Sequence, residues 1–167
     1  MPRFPWVLGA LVLGLSGALV GVVPDGVSAV AGRSRCRATA FVTNLDGGTV
    51  STIDVKTRTK HPTDIVLGGG PVGVAVTPDG KPAYVANQSS GTVSTIDVKT
   101  RTKHPTDITV GELPIGVAFT PDGKTAFVAN AFSDTVSTID VKTRTKHPTD
   151  IPAGTGPIEV AFTPCRR

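Results

Sequence analysis

After residue 31 the apolar positions of this chain never settle into the i, i+3, i+4 spacing of an amphipathic helix. They fall instead into short runs, each closed by Gly, Pro, Asn or Asp. The stretch beginning at Ala83 shows the pattern. "AYVAN" leads to "QSSG", then "TVSTIDV", a "KTRT" turn, "KHPTDITV", the link "GELP", "IGVAFT" and the turn "PDGK". That order predicts four β-strands. Runs such as "GVAVT" and "AYVA" are apolar on both faces, as expected of strands covered by a second sheet on each side. In "PDGK" the Asp supplies a local side-chain hydrogen bond and the Gly a positive φ, the chemistry of a tight hairpin.

The pattern returns every 43 residues, and "TVSTIDVKTRTKHPTDI" recurs unchanged at 49–65, 92–108 and 135–151. "AFVTN" at 40–44 becomes "AYVAN" at 83–87 and "AFVAN" at 126–130, and "PVGVAVTPDGK" at 71–81 becomes "PIGVAFTPDGK" at 114–124. A fixed period of this length implies stacked or radial units. The predicted organisation is a hydrophobic leader over 1–31, a linker over 32–37, and three repeats over 38–80, 81–123 and 124–166.

These motifs, "AYVAN…GTVSTIDVKT…ITVGELPIGVAFTPDGK", resemble the YVTN-type β-propeller repeat of bacterial surface and secreted proteins. The resemblance implies an all-β fold: blades of four antiparallel strands around an axis, with the "PxGVAV" strand innermost and the "KHPTDI" strand outermost. The chain would supply three blade equivalents, a partial or oligomer-closed propeller. The family's strand order puts "NLDGG", "NQSSG" and "NAFSD", with the links "GGGP", "GELP" and "GTGP", at one end, here called the top. "PDGK" and "DVKTRTK" turn at the bottom.

Most differences between the copies fall at the top. Leu45, Asp46, Gln88, Ser89, Glu112, Leu113, Phe132 and Asp134 are therefore the expected contacts of any specific ligand, against the plain alternative that loops tolerate change. Glu159 stands where the other copies have Gly73 and Gly116; the expected reading is a surface substitution near an open edge, with a carboxylate facing a central channel as the alternative.

The first 31 residues carry Arg3, then no ionisable side chain from Phe4 to Pro24, then A-V-A before Gly32. That is the pattern of a cleaved secretory signal peptide, with an uncleaved anchor as the alternative. The expected location is secreted or cell-surface, with no membrane contact after cleavage. A net charge of +4, spread along the chain, gives no reason to expect a specific nucleic-acid partner. The expected partner is a protein or a cell-envelope polymer. Nine Lys and Arg recur in the three "KTRTK" segments, and the expected role is protection of outer strands against edge pairing.

The chemistry-bearing residues predict no enzyme, cofactor or metal. Each copy holds Ser, His and Asp, such as Ser94, Asp97, His104 and Asp107, but the spacing gives no converging triad. Asp97 is expected to hold the turn that follows it. His61, His104 and His147 recur in register on an outer rim, too far apart to share one ion. Cys36 and Cys165 both take the register of Asp79 and Asp122, flanking the point where one blade would be cut between the two ends of the chain. A disulfide there would pair them within one chain or, as preferred, between two chains closing a six-bladed ring. The abrupt "PCRR" reads equally as the scar of a shortened propeller. The favoured function is a non-catalytic binding scaffold; the alternatives are a propeller-type hydrolase or lyase, and a non-functional fragment.

Overall fold

A computed structural model of the 167-residue chain describes residues 38–163. Every regular element among them is a β-strand. The first sheet holds β1 (Thr39–Asn44), β2 (Thr49–Asp54), β3 (Thr59–Lys60) and β4 (Ile65–Val66). The second holds β5 (Pro71–Val76), β6 (Pro82–Asn87), β7 (Thr92–Asp97), β8 (Thr102–Lys103) and β9 (Ile108–Thr109). The third holds β10 (Pro114–Phe119), β11 (Thr125–Asn130), β12 (Thr135–Asp140), β13 (Thr145–Lys146) and β14 (Ile151–Pro152). All pairings are antiparallel, and β10 of one blade neighbours β5 of the one before it.

The outermost strand is not the continuous run expected from "KHPTDI". In each blade it is two short pieces, both paired to the third strand: β8 at Ile96 and Asp97, β9 at Thr92 and Val93. The break has a chemical cause. Pro105 has no N–H to give to a ladder. The Thr106 N–H donates to His104 Nδ1 instead (3.2 Å), and the carboxylate of Asp107 turns inward. His61 and His147 accept the same bond from Thr63 and Thr149. The recurring histidines thus serve the local turn, and no group of metal-ligating side chains gathers among the described residues.

Two apolar layers hold the three sheets together. Between the first and second lie Val50, Ile65, Ala83, Val85 and Ile96. Between the second and third lie Tyr84, Val93, Ile108, Ala126, Val128 and Ile139. Neighbours on β6 alternate between the layers, Tyr84 facing one way and Ala83 and Val85 the other, which is why this strand is buried almost throughout. Full burial of a Val or Ile side chain is worth about 1.5–3 kcal/mol, so these layers dominate the cohesion of the stack.

A polar ladder recurs inside every blade. In the second, Asn87 Nδ2 donates to Thr92 Oγ1 (3.1 Å) and Ser94 Oγ (2.8 Å), and Ser94 Oγ donates to Asp107 Oδ1 (2.8 Å). Lys103 closes the ladder with an ion pair to Asp107 at 2.7 Å. Asn44–Ser51–Asp64–Lys60 and Asn130–Ser137–Asp150–Lys146 repeat it. One end of each blade's fourth strand is thereby tied to the end of its second.

Candidate functional site

The antiparallel register fixes which loops share an end. β5 runs from its link toward "PDGK", and β6 returns to the "NQSSG" loop, so links and variable loops meet at the top. Their backbones are bonded to each other. The Gln88 and Ser89 N–H groups donate to the carbonyls of Gly70 (2.8 Å) and Gly69 (2.9 Å). One blade on, Ala131 and Phe132 donate to Leu113 (3.0 Å) and Glu112 (3.3 Å), and the Glu112 N–H donates to Ser133 Oγ at 2.7 Å.

The expected contact residues fall into small groups. Leu45, half exposed, sits beside Gly70 and Ser89, while Asp46 points to solvent. Gln88 is half-buried. Glu112, Leu113 and Phe132 form a second group, in which the Phe132 ring is 74% exposed, unusual for an aromatic side chain held by an ordered loop. Asp134 accepts the Gly156 N–H at 2.8 Å. Glu159 belongs to neither group. It lines an axial groove of about 350 Å³ formed by the first residues of the inner strands, among them Val72, Gly73, Ile115 and Gly116. It is the one ionisable side chain on that wall.

Backbone geometry sets two of these residues apart. Leu113 (φ 53°) takes the register of Gly70 (φ 66°) and Gly156 (φ 65°). Asp134 (φ 53°) takes that of Gly48 and Gly91, both also at positive φ. Left-handed backbone costs a residue such as Leu113 about 1 kcal/mol and Asp less, and the surrounding structure must hold it, as the bottom turns hold Arg58, Arg101 and Arg144 at φ 56°. Two residues with local roles went unmarked in the sequence. Ser133 anchors the Glu112 N–H, and Thr43 donates from Oγ1 to the Val72 carbonyl at 2.7 Å. Comparing copies gives the signal for Thr43, because Ala86 and Ala129 occupy its register.

At the bottom the carboxylates serve turns. The Thr77 hydroxyl and the Lys81 N–H hold Asp79 below the usual carboxylate range, and Thr120 and Lys124 do the same for Asp122. Asp97 is lowered by the Thr100 N–H, which donates at 2.7 Å, and by the Thr100 hydroxyl; this is the turn-holding role expected of it. Lys60 lowers Asp64 at the blade's outer edge, with Ser51 assisting. The Ser94 hydroxyl is fully buried, donates to the Asp107 carboxylate and accepts from Asn87, so it is held within the blade with no access to a substrate. Cys36 and Cys165 lie outside the described residues.

A family model described as lactonase, seven-bladed β-propeller, matches residues 36–162. The chain belongs to that family. Comparison with curated proteins gives no match. Among solved structures, hydrazine synthase of Kuenenia stuttgartiensis is similar at 31% identity and a TM-score of 0.68, over 72% of this chain and 34% of that one. A protein of unknown function from Desulfotomaculum acetoxidans aligns at 17% identity and a TM-score of 0.65, over 75% of this chain and 42% of its own. A candidate 6-phosphogluconolactonase of Bacteroides fragilis aligns at 21% identity and a TM-score of 0.65, over 75% and 39%. This member of the lactonase propeller family thus spans about a third to two fifths of the length of these three structures.

Proposed function

We propose that this propeller segment is an exported, non-catalytic binding scaffold of the YVTN type, presenting its top loops to a protein or a cell-envelope polymer. The observation that carries the reading is the contrast between its two ends. Apart from the last copy's end, the bottom turns and the outer segments up to Ile65, Ile108 and Ile151 are nearly constant, whereas the top carries an exposed Phe132 and two side chains, Leu113 and Asp134, on backbone that neighbouring copies give to glycine. Exposed aromatic and aliphatic side chains on a rigid scaffold suit apolar sugar faces or protein surfaces. Retention of cell-envelope fragments by the immobilised full chain tests the proposal. The double variant Leu45→Ala, Phe132→Ala should lose retention, and the bottom variant Lys81→Ala, Lys124→Ala should keep it. Absence of retention, or retention indifferent to the top loops, overturns the reading.

A hydrolase reading is favoured by the family's description and by Glu159 on the axial wall. One carboxylate with no second catalytic group beside it supports at most general-base activation of water on a reactive ester such as a lactone. Turnover of a sugar lactone by the full chain, abolished in Glu159→Gln, would establish it in place of the scaffold reading.

A further inference from the structure

The two outer faces of the blade stack match each other. Val85 and Ile96, on the second blade's first-facing side, are fully buried against Val50 and Ile65. Their register equivalents on the first blade, Val42 and Ile53, have no sheet across from them among the described residues, and Val42 is 42% exposed. At the far side, Phe127, Val136 and Ile151 take the register of the buried Tyr84, Val93 and Ile108, and Ile151 is 46% exposed. Each open face thus carries the side chains that meet the other kind of face at both internal junctions.

The strand edges match as well. Segment 157–163 lies against the third blade as an inner strand of a following blade would. Phe162 sits edge-on to Phe127 with centroids 5.1 Å apart, repeating Phe119 on Tyr84 at 5.1 Å, yet the segment pairs with no strand among the described residues. Among the described residues β1 is paired to β2 alone, whereas its equivalents β6 and β11 each have an inner strand on the other side.

We propose that the chain associates head to tail with a second copy of itself, segment 157–163 adding as an inner strand to the edge of β1 that the described residues leave open. This goes beyond the loop-face reading and does not depend on it. The register follows from Val74↔Val85, Ala75↔Tyr84 and Val76↔Ala83. It sets Val160 opposite Val42, Ala161 opposite Phe41, and Phe162 opposite Ala40 of the second copy. Strand addition satisfies an open edge, and the matched faces bury its apolar side chains. A second copy is the occupant because each end already carries, in order and spacing, the complement of the other.

Glu159 limits the fit. At the equivalent Gly73 and Gly116 a Cβ would overlap the Ile115 and Ile158 carbonyl oxygens of the next inner strand. At regular spacing the Glu159 Cβ would meet the Val72 carbonyl of the second copy in the same way. The contact therefore closes over 160–162 and stays open toward the axis, weaker than the junctions inside the chain.

Two differently tagged full-length chains, each with Cys36→Ser and Cys165→Ser, test this. One carries Val42→Cys and the other Val160→Cys. A short thiol-to-thiol cross-linker should join them only in the mixture. Either variant linking to itself, or no product in the mixture, overturns the proposal. The second measurement is association of the otherwise unaltered chain by light scattering. Mass should rise with concentration, and Glu159→Gly should tighten association by about tenfold or more. A mass that stays monomeric, or no gain from Glu159→Gly, overturns it.

Discussion

Gly73 faces the Ile115 carbonyl so closely that no side-chain atom fits between them. This approach of one inner strand to the next is what lets successive blades meet at the axis. Gly73→Ala forces the strands apart and is expected to destabilise the fold by about 2–4 kcal/mol. Gly154→Ala, at a position with open space around it, should stay within about 0.5 kcal/mol of the parent. Urea midpoints followed by circular dichroism compare the two; equal midpoints would show that the axial approach is not tight.

Leu113→Gly should raise stability by about 0.5–1 kcal/mol, because glycine adopts φ near 53° without the steric cost that Leu113 bears. The same change should weaken capture of cell-envelope fragments. Thermal midpoint and retention are read on one sample, and a variant that is both less stable and equally retentive contradicts the role given to this loop.

How far the sequence speaks is clear in this comparison of copies. Strand content and blade length follow from a 43-residue period carrying turn residues at fixed offsets, whereas inner and outer position and the top face come from the resemblance to a known repeat. The split of the outermost strand was hidden, since "KHPTDI" has β-like composition and its break depends on a bond from the Thr106 N–H to the His104 ring. The Asn87–Ser94–Asp107 ladder was also illegible: it joins residues on three strands, and letters repeated identically in every copy carry no contrast to mark them. Glu159 stood out because it departs from the repeat, but that its register must be small became visible only in the backbone packing of Gly73 and Gly116.

Tyr84 is the single tyrosine of the chain, so its ionisation can be followed directly by ultraviolet absorbance. Burial pushes its hydroxyl above the ordinary value of 10.0, and among the described residues neither this oxygen nor the nearby Thr95 hydroxyl has a partner in hydrogen-bonding geometry. The folded state holds the proton that the unfolded chain releases, so this contribution to stability is complete below pH 10.0 and lost as pH rises through the folded-state value. Tyr84→Phe, the residue already present in this register at Phe41 and Phe127, removes an unmet polar group. It should be neutral or stabilising by up to about 1 kcal/mol, with flatter alkaline denaturation.

Acid should act through the turn carboxylates and the ladder carboxylate Asp64. Asp64, Asp79, Asp97, Asp122 and Asp140 are all lowered from 3.8, so each favours the folded state above that value and loses the effect as pH falls through its folded-state value. Stability should be level from neutrality to about pH 5 and decline below about pH 4. Asp97→Asn with Asp140→Asn should flatten the decline; an unchanged acid limb in urea titrations would remove these turns as its source.

Ser94→Ala should cost about 1–3 kcal/mol by stranding the Asn87 amide and one side of Asp107, with the Lys103 pair left to hold the carboxylate. A chain that loses this stability yet keeps its top-face retention would separate the scaffold from the surface it presents.

The interrupted rim has a bearing on how the protein behaves when crowded. Each blade offers sideways neighbours only two-residue segments flanking His-Pro, too short and too bent to template a laminated sheet. Lateral growth into fibrils is thereby starved of a continuous seam.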